Sequence, residues 1–122
     1  MARSKLIKER EDRILNEIVV DAYDEVERAM GWYYYLQEHL ATQFEARVRF
    51  EHPTSPLRVG DKVNVLGLAP EEVCEHDMFA VVRWASREFA VSMAQLHPLT
   101  SDKLILQAFA DWHYWLERGN EF

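Results

Sequence analysis

Hydrophobic spacing divides the chain into three stretches. From about Ser4 to Val20, Leu6, Ile7, Ile14, Leu15, Ile18 and Val19 recur at helical offsets among charged residues, which predicts an amphipathic helix. Beyond it Ala22, Val26, Ala29, Tyr33, Leu36 and Leu40 form one stripe at steps of three or four. Tyr23, Met30 and Tyr34 lie alongside that stripe, so a second helix is expected to be buried over much of its circumference. Asp21 or Asp24 can cap it, and Asp24 with Glu27 three residues on matches a capping box. Gly31 in mid-helix costs about 1 kcal/mol relative to Ala, which points to a close packing contact rather than a break.

The middle of the chain changes period. Phe44, Ala46, Val48 and Phe50 alternate with Glu45, Arg47, Arg49 and Glu51, the two-residue repeat of a half-buried strand. His52 to Pro56 reads as a loop, Val59 to Lys62 as a turn and Val63 to Leu68 as a second strand. Met78 to Trp84 and Glu88 to Met93 form a hairpin around Ala85-Ser86-Arg87, and Gln95-Leu96-His97-Pro98 reads as a closing turn. The last stretch is helical again: Thr100 or Ser101 serves as N-cap, Leu104, Ile105, Ala108, Phe109, Trp112, Trp115 and Leu116 give an apolar face, and Gly119 stands where the helix stops. The expectation is a single α+β domain over residues 1–122. Its helical N-terminal part is 1–42, a small SH3-like β-barrel of four to five strands occupies 43–99, and a C-terminal helix covers 100–119.

Composition narrows the function classes. With 48% hydrophobic and 12% aromatic residues the sequence is that of a folded domain and not of a disordered acidic tail. One cysteine, Cys74, excludes an internal disulfide and fits a reducing compartment. No run of about 18 apolar residues is present to span a bilayer, and no apolar signal core follows the N-terminus, so a cytoplasmic location without membrane attachment is expected. An acidic balance argues against a nucleic-acid partner, whose phosphates demand clustered Lys and Arg.

The net charge of −7 is unevenly placed. Residues 21–42 and residues 70–77 each carry −4, and the remainder is close to neutral. In the first segment Asp21, Asp24, Glu25 and Arg28 fall at offsets that would share one helix face, where capping and pairing with Arg28 are the plain explanation. In the second, Glu71, Glu72, Glu75 and Asp77 crowd a connection between strands with no base nearby. Gathered carboxylates suit a hard cation, since calcium takes about six to eight oxygens from carboxylates, carbonyls and water. An EF-hand is excluded, because a loop starting at Asp21 would place Val26 and Trp32 where Gly and Glu are required. One Cys with one nearby His falls short of a zinc site. Cys74 and His113 form no recognisable nucleophile and base pair, and no enzyme constellation is present.

Four stretches carry a family resemblance: Ile18 to Leu36 with its Trp-Tyr-Tyr-Tyr run, Ser55 to Gly60, Gly67 to Phe79, and Asp111 to Gly119. In these the chain resembles the small cyanobacterial calcium-binding proteins of the CcbP type. The resemblance implies Ca2+ binding by carboxylates outside any EF-hand, with Asp21, Asp24, Glu25, Glu71, Glu72, Glu75 and Asp77 as the positions that carry it, and a role as cytosolic calcium buffer or signalling protein. The competing expectation is an SH3-like interaction module whose acidic loop contacts a basic protein partner independently of calcium. Between the acid segments, the loop from Glu71 to Asp77 is expected to hold the main site.

Overall fold

The computed structural model describes residues 7–118. Ser4 to Leu6 of the first expected helix, and the expected stop at Gly119, lie outside that range. Helix α1 (Lys8–Arg13) runs into a wider turn at Ile14–Ile18, closed by a 2.9 Å hydrogen bond from the Val19 amide to the Ile14 carbonyl. Ile14 and Ile18 are buried there, while Leu15 is left outside.

The chain then bends. Asp21 adopts a left-handed backbone (φ 57°), and the extended Asp24 caps α2 (Glu25–His39) by accepting a 2.8 Å bond from the Glu27 amide. Because α2 begins only at Glu25, Ala22 and Tyr23 do not belong to its stripe. Ala29, Trp32, Tyr33 and Leu36 face inward, whereas Val26 (71% exposed) and Tyr34 (55%) face solvent. Burial thus covers less of the helix than its apolar content suggests, and Trp32 takes the central place. Its ring meets Trp112 edge-on at 5.1 Å and Trp115 at 5.6 Å.

Gly31 is where α2 crosses the preceding turn. A Cβ there would collide with the backbone carbonyl of Ile18, so the mid-helix glycine is a packing requirement, as its cost implied.

Five antiparallel strands follow: β1 (Phe44–Val48), β2 (Lys62–Leu68), β3 (Phe79–Trp84), β4 (Arg87–Ser92) and β5 (Leu96–Leu99), in spatial order β4-β3-β2-β1-β5. The fold is therefore α+β, but the sheet is not closed: β4 and β5 are its outer strands. The expected closing turn at Leu96 to Pro98 is strand β5, entered from a short turn at Met93–Gln95 and paired with β1. Pro98 breaks no ladder on such an outer strand. Helix α3 (Lys103–Glu117) is capped by Asp102, not by Thr100 or Ser101, through bonds to the amides of Leu104 (2.9 Å) and Ile105 (3.3 Å). Its buried face of Ile105, Ala108, Phe109, Trp112 and Trp115 meets α2 and the sheet. Among the described residues no helix is long and apolar enough to cross a membrane.

Candidate metal centre

The connection from β2 to β3 forms one wall of a cleft. It is pinched shut at its base by the Ala69 amide bonding the Phe79 carbonyl at 2.8 Å. Inside it the chain makes a single 3-10 turn at Glu71–Cys74, closed by the Val73 amide on the Pro70 carbonyl at 2.9 Å. Such a turn aims successive side chains in different directions. Cys74 points inward and is 2% exposed; its Sγ accepts from the Phe79 amide at 3.4 Å and sits 3.9 Å from the Ala69 carbonyl. Glu71, Glu72 and Glu75 are turned out to solvent. Burial, reinforced by the charge of Asp77, pushes the Cys74 thiol up from its ordinary range, so it is a neutral plug rather than a nucleophile.

The other wall is the first half of α2. Glu25, Val26, Ala29, Met30 and Tyr33 recur on one side of the helix and face the turn across a cleft of about 450 Å³, whose far side carries Glu71, Glu72, Cys74, Glu75 and His76. The Tyr33 hydroxyl crosses beneath it and donates to the Ala69 carbonyl at 2.9 Å. Burial raises the Tyr33 pKa, and the nearby Cys74, Glu71 and Glu72 add to that rise.

The two acid-rich segments thus meet, but only in part. Glu25, Glu71, Glu72 and Glu75 border one space. Asp24 spends its carboxylate on the helix cap, and Asp21 lies in the bend before it; neither lines the cleft. The expected helix face of Asp21, Asp24, Glu25 and Arg28 does not exist, because the backbone is left-handed at Asp21 and extended at Asp24.

Asp77 turns away as well. Its carboxylate accepts from the Ser92 hydroxyl at 2.7 Å and the Met78 amide at 2.8 Å, and it borders a different hollow with His52 and Gln95. Burial raises its pKa against the lowering effect of those two hydrogen bonds.

No ion pair among the described residues engages Glu25, Glu71, Glu72 or Glu75, while other surface acids such as Glu88 do have a cationic partner. Among the described residues no three His, Cys, Asp or Glu side chains converge closely enough to hold a metal ion. What the site offers is four exposed carboxylates on long, rotatable side chains around one cleft, the donor chemistry that fits calcium. His76 stands beside the acids, as its position in the sequence implies, whereas the apolar floor of Val26, Ala29, Met30 and Tyr33 is not among the expected site residues. The recurrence of 25, 26, 29, 30 and 33 at helical spacing was the available clue.

Comparison with known proteins agrees with this chemistry. The CcbP family model, described as calcium binding, matches residues 12–116. The crystal structure of Anabaena CcbP superposes with a TM-score of 0.88 at 36% identity, covering 100% of both chains. A calcium-binding protein in its calcium-binding form superposes with a TM-score of 0.85 at 36% identity, covering 95% of each chain. No curated protein sequence matches.

Proposed function

This chain belongs to the CcbP calcium-binding family, and from that premise we propose that it holds Ca2+ in the cleft between α2 and the acidic turn, with Glu25, Glu71, Glu72 and Glu75 as carboxylate ligands. The observation that carries the reading is the placement of Glu25 from one acid-rich segment and Glu71, Glu72 and Glu75 from the other on opposite walls of one cleft, with no cationic side chain among the described residues paired to them. A divalent ion there turns mutual repulsion into attraction. Calcium tolerates variable coordination, so exposed glutamates can swing toward it while carbonyls and water complete the shell; magnesium demands a strict octahedron and competes poorly. Asp21, Asp24 and Asp77 act through the negative field and through the backbone they brace, not as direct ligands. The ion ties a helix to a loop, so binding stabilises the fold by mass action. The role is that of a non-enzymatic calcium buffer or signalling protein of the cytoplasm.

A second reading is favoured by one observation. Tyr23 (81% exposed), Val26 and Tyr34 leave apolar side chains in solvent, Val26 at the acidic cleft itself, as a module that contacts a basic protein would. The strand order, with a short turn between β4 and β5, supports an SH3-like scaffold for it.

Titration with calcium in excess magnesium, followed by amide chemical shifts, tests the first reading. Saturable changes are expected at residues 25–30 and 71–76. Their absence at millimolar calcium overturns it.

A further inference from the structure

The junction of α1 with α3 holds more cationic donors than its one buried acid uses. Asp111 is 0% exposed, and its carboxylate accepts from Arg10 Nη1 at 2.7 Å, Arg13 Nε at 2.7 Å, Arg13 Nη2 at 2.9 Å and the Tyr35 hydroxyl at 2.6 Å. Both carboxylate oxygens are thereby occupied. A guanidinium carries more N–H groups than these contacts engage, and the Arg10 and Arg13 side chains remain 28% and 21% exposed.

Those two guanidiniums border a hollow of about 500 Å³ that shares no lining residue with the acidic cleft. Its other wall, on α3, presents Leu106, Phe109 and Ala110 beside the polar Gln107, and His97 and Pro98 of β5 complete the lining. Two arginines against one carboxylate leave one positive charge over. His113, which also lines the hollow, adds none: its Nε2 faces the Met93 carbonyl at 3.1 Å, and the ring is neutral near pH 7. Glu9 stands at the same hollow but is exposed to solvent, so it tempers the residual charge without filling the space.

We propose that this hollow binds a small organic monocarboxylate, its carboxylate on the outward N–H groups of Arg10 and Arg13 and its apolar part against Leu106, Phe109 and Ala110. With Glu9 at the rim the hollow holds no more than one residual positive charge, which matches a monoanion better than a phosphate dianion, and planar guanidinium N–H groups match a planar carboxylate. Asp111 holds both arginines in place before any ligand arrives, which reduces the ordering cost of binding.

The test is an NMR titration with benzoate of the full chain freed of calcium beforehand on a chelating resin, so that the acidic cleft plays no part and no soluble carboxylate competes. Saturable amide shifts are expected around Arg10, Arg13, Leu106 and Ala110, with benzamide and phenyl phosphate binding at least about tenfold more weakly. Leu106 is 36% exposed; Leu106→Glu, with its folding checked by a thermal melt, is expected to abolish the benzoate response, while Glu9→Gln strengthens it. Arg10→Gln, with its folding checked by a thermal melt, is expected to weaken it. Shifts that do not saturate, equal binding of benzamide, or a response unchanged in Leu106→Glu overturns the proposal.

Discussion

The Tyr33 hydroxyl donates a 2.9 Å hydrogen bond to the carbonyl of Ala69, fastening the middle of α2 to the residue two before Glu71. It is the direct link between the two walls of the acidic cleft. Removing the hydroxyl in Tyr33→Phe leaves the ring packed and frees the turn. Calcium affinity is expected to fall about threefold to tenfold, with a stability loss of about 1 kcal/mol, the net worth of one such bond. Calorimetric calcium titration and urea unfolding measure the two effects separately, and an unchanged affinity would show that the link does not position the ligands.

Gly31→Ala should run against helix propensity. An exposed helical glycine replaced by alanine gains up to about 1 kcal/mol, but here the new methyl meets the fixed backbone carbonyl of Ile18. Overpacking of this kind costs about 1–3 kcal/mol. A lower melting temperature is expected, and a rise would mean that the bend before α2 yields freely.

Asp111→Asn is expected to be the most damaging single change outside the apolar core. Arg10 and Arg13 then lose the carboxylate that balances them, and breaking such a buried pair costs about 3–5 kcal/mol. The two arginines and Tyr35 hold the Asp111 carboxyl below its ordinary pKa despite the opposing effect of burial. Its contribution is therefore complete above the ordinary carboxylate range and is lost as pH falls through the lowered value. Acid unfolding that is equally steep in wild type and Asp111→Asn would contradict this.

His113 sets a second, higher pH window. Burial lowers its pKa to about 4 from the ordinary 6.5 and outweighs the hydrogen bond to the Met93 carbonyl, which favours the protonated ring. The unfolded chain then binds the extra proton first, so stability falls as pH drops from about 6.5 to about 4. At most about 3 kcal/mol is involved. Unfolding free energy measured across that range should lose much of its slope in His113→Gln, and an identical slope would assign the effect elsewhere.

Much of this architecture was legible before any coordinates. The alternation from Phe44 to Glu51 announces a strand, which ends at Val48 and leaves Phe50 exposed; Asp24 with Glu27 marks the helix start, and Gly31 marks a close approach. What escaped was decided by tertiary context. Leu96 to Pro98 carries turn chemistry, yet β1 offers it an edge to pair with. Val26 and Tyr34 have the spacing of core residues, but the buried face of α2 is Ala29, Trp32, Tyr33 and Leu36, and Val26 lines the open cleft instead; Tyr23 precedes the helix altogether. Charge clustering singled out both acid segments and could not say which members face each other. That depended on the left-handed step at Asp21 and on the 3-10 turn that sends Glu71, Glu72 and Glu75 one way and Cys74 the other. Asp77 looked like a member of the cluster by position in the chain, and a hydrogen bond to Ser92 removed it.

The central claim is that one calcium ion is shared between α2 and the acidic turn. Calorimetric calcium titration of Glu25→Gln, Glu75→Gln and Asp77→Asn tests it most directly. Each glutamate substitution is expected to weaken the same binding event by about tenfold or more, and Asp77→Asn to change it by less than about threefold. Unchanged affinity in Glu25→Gln and Glu75→Gln, or its loss in Asp77→Asn alone, would contradict the account.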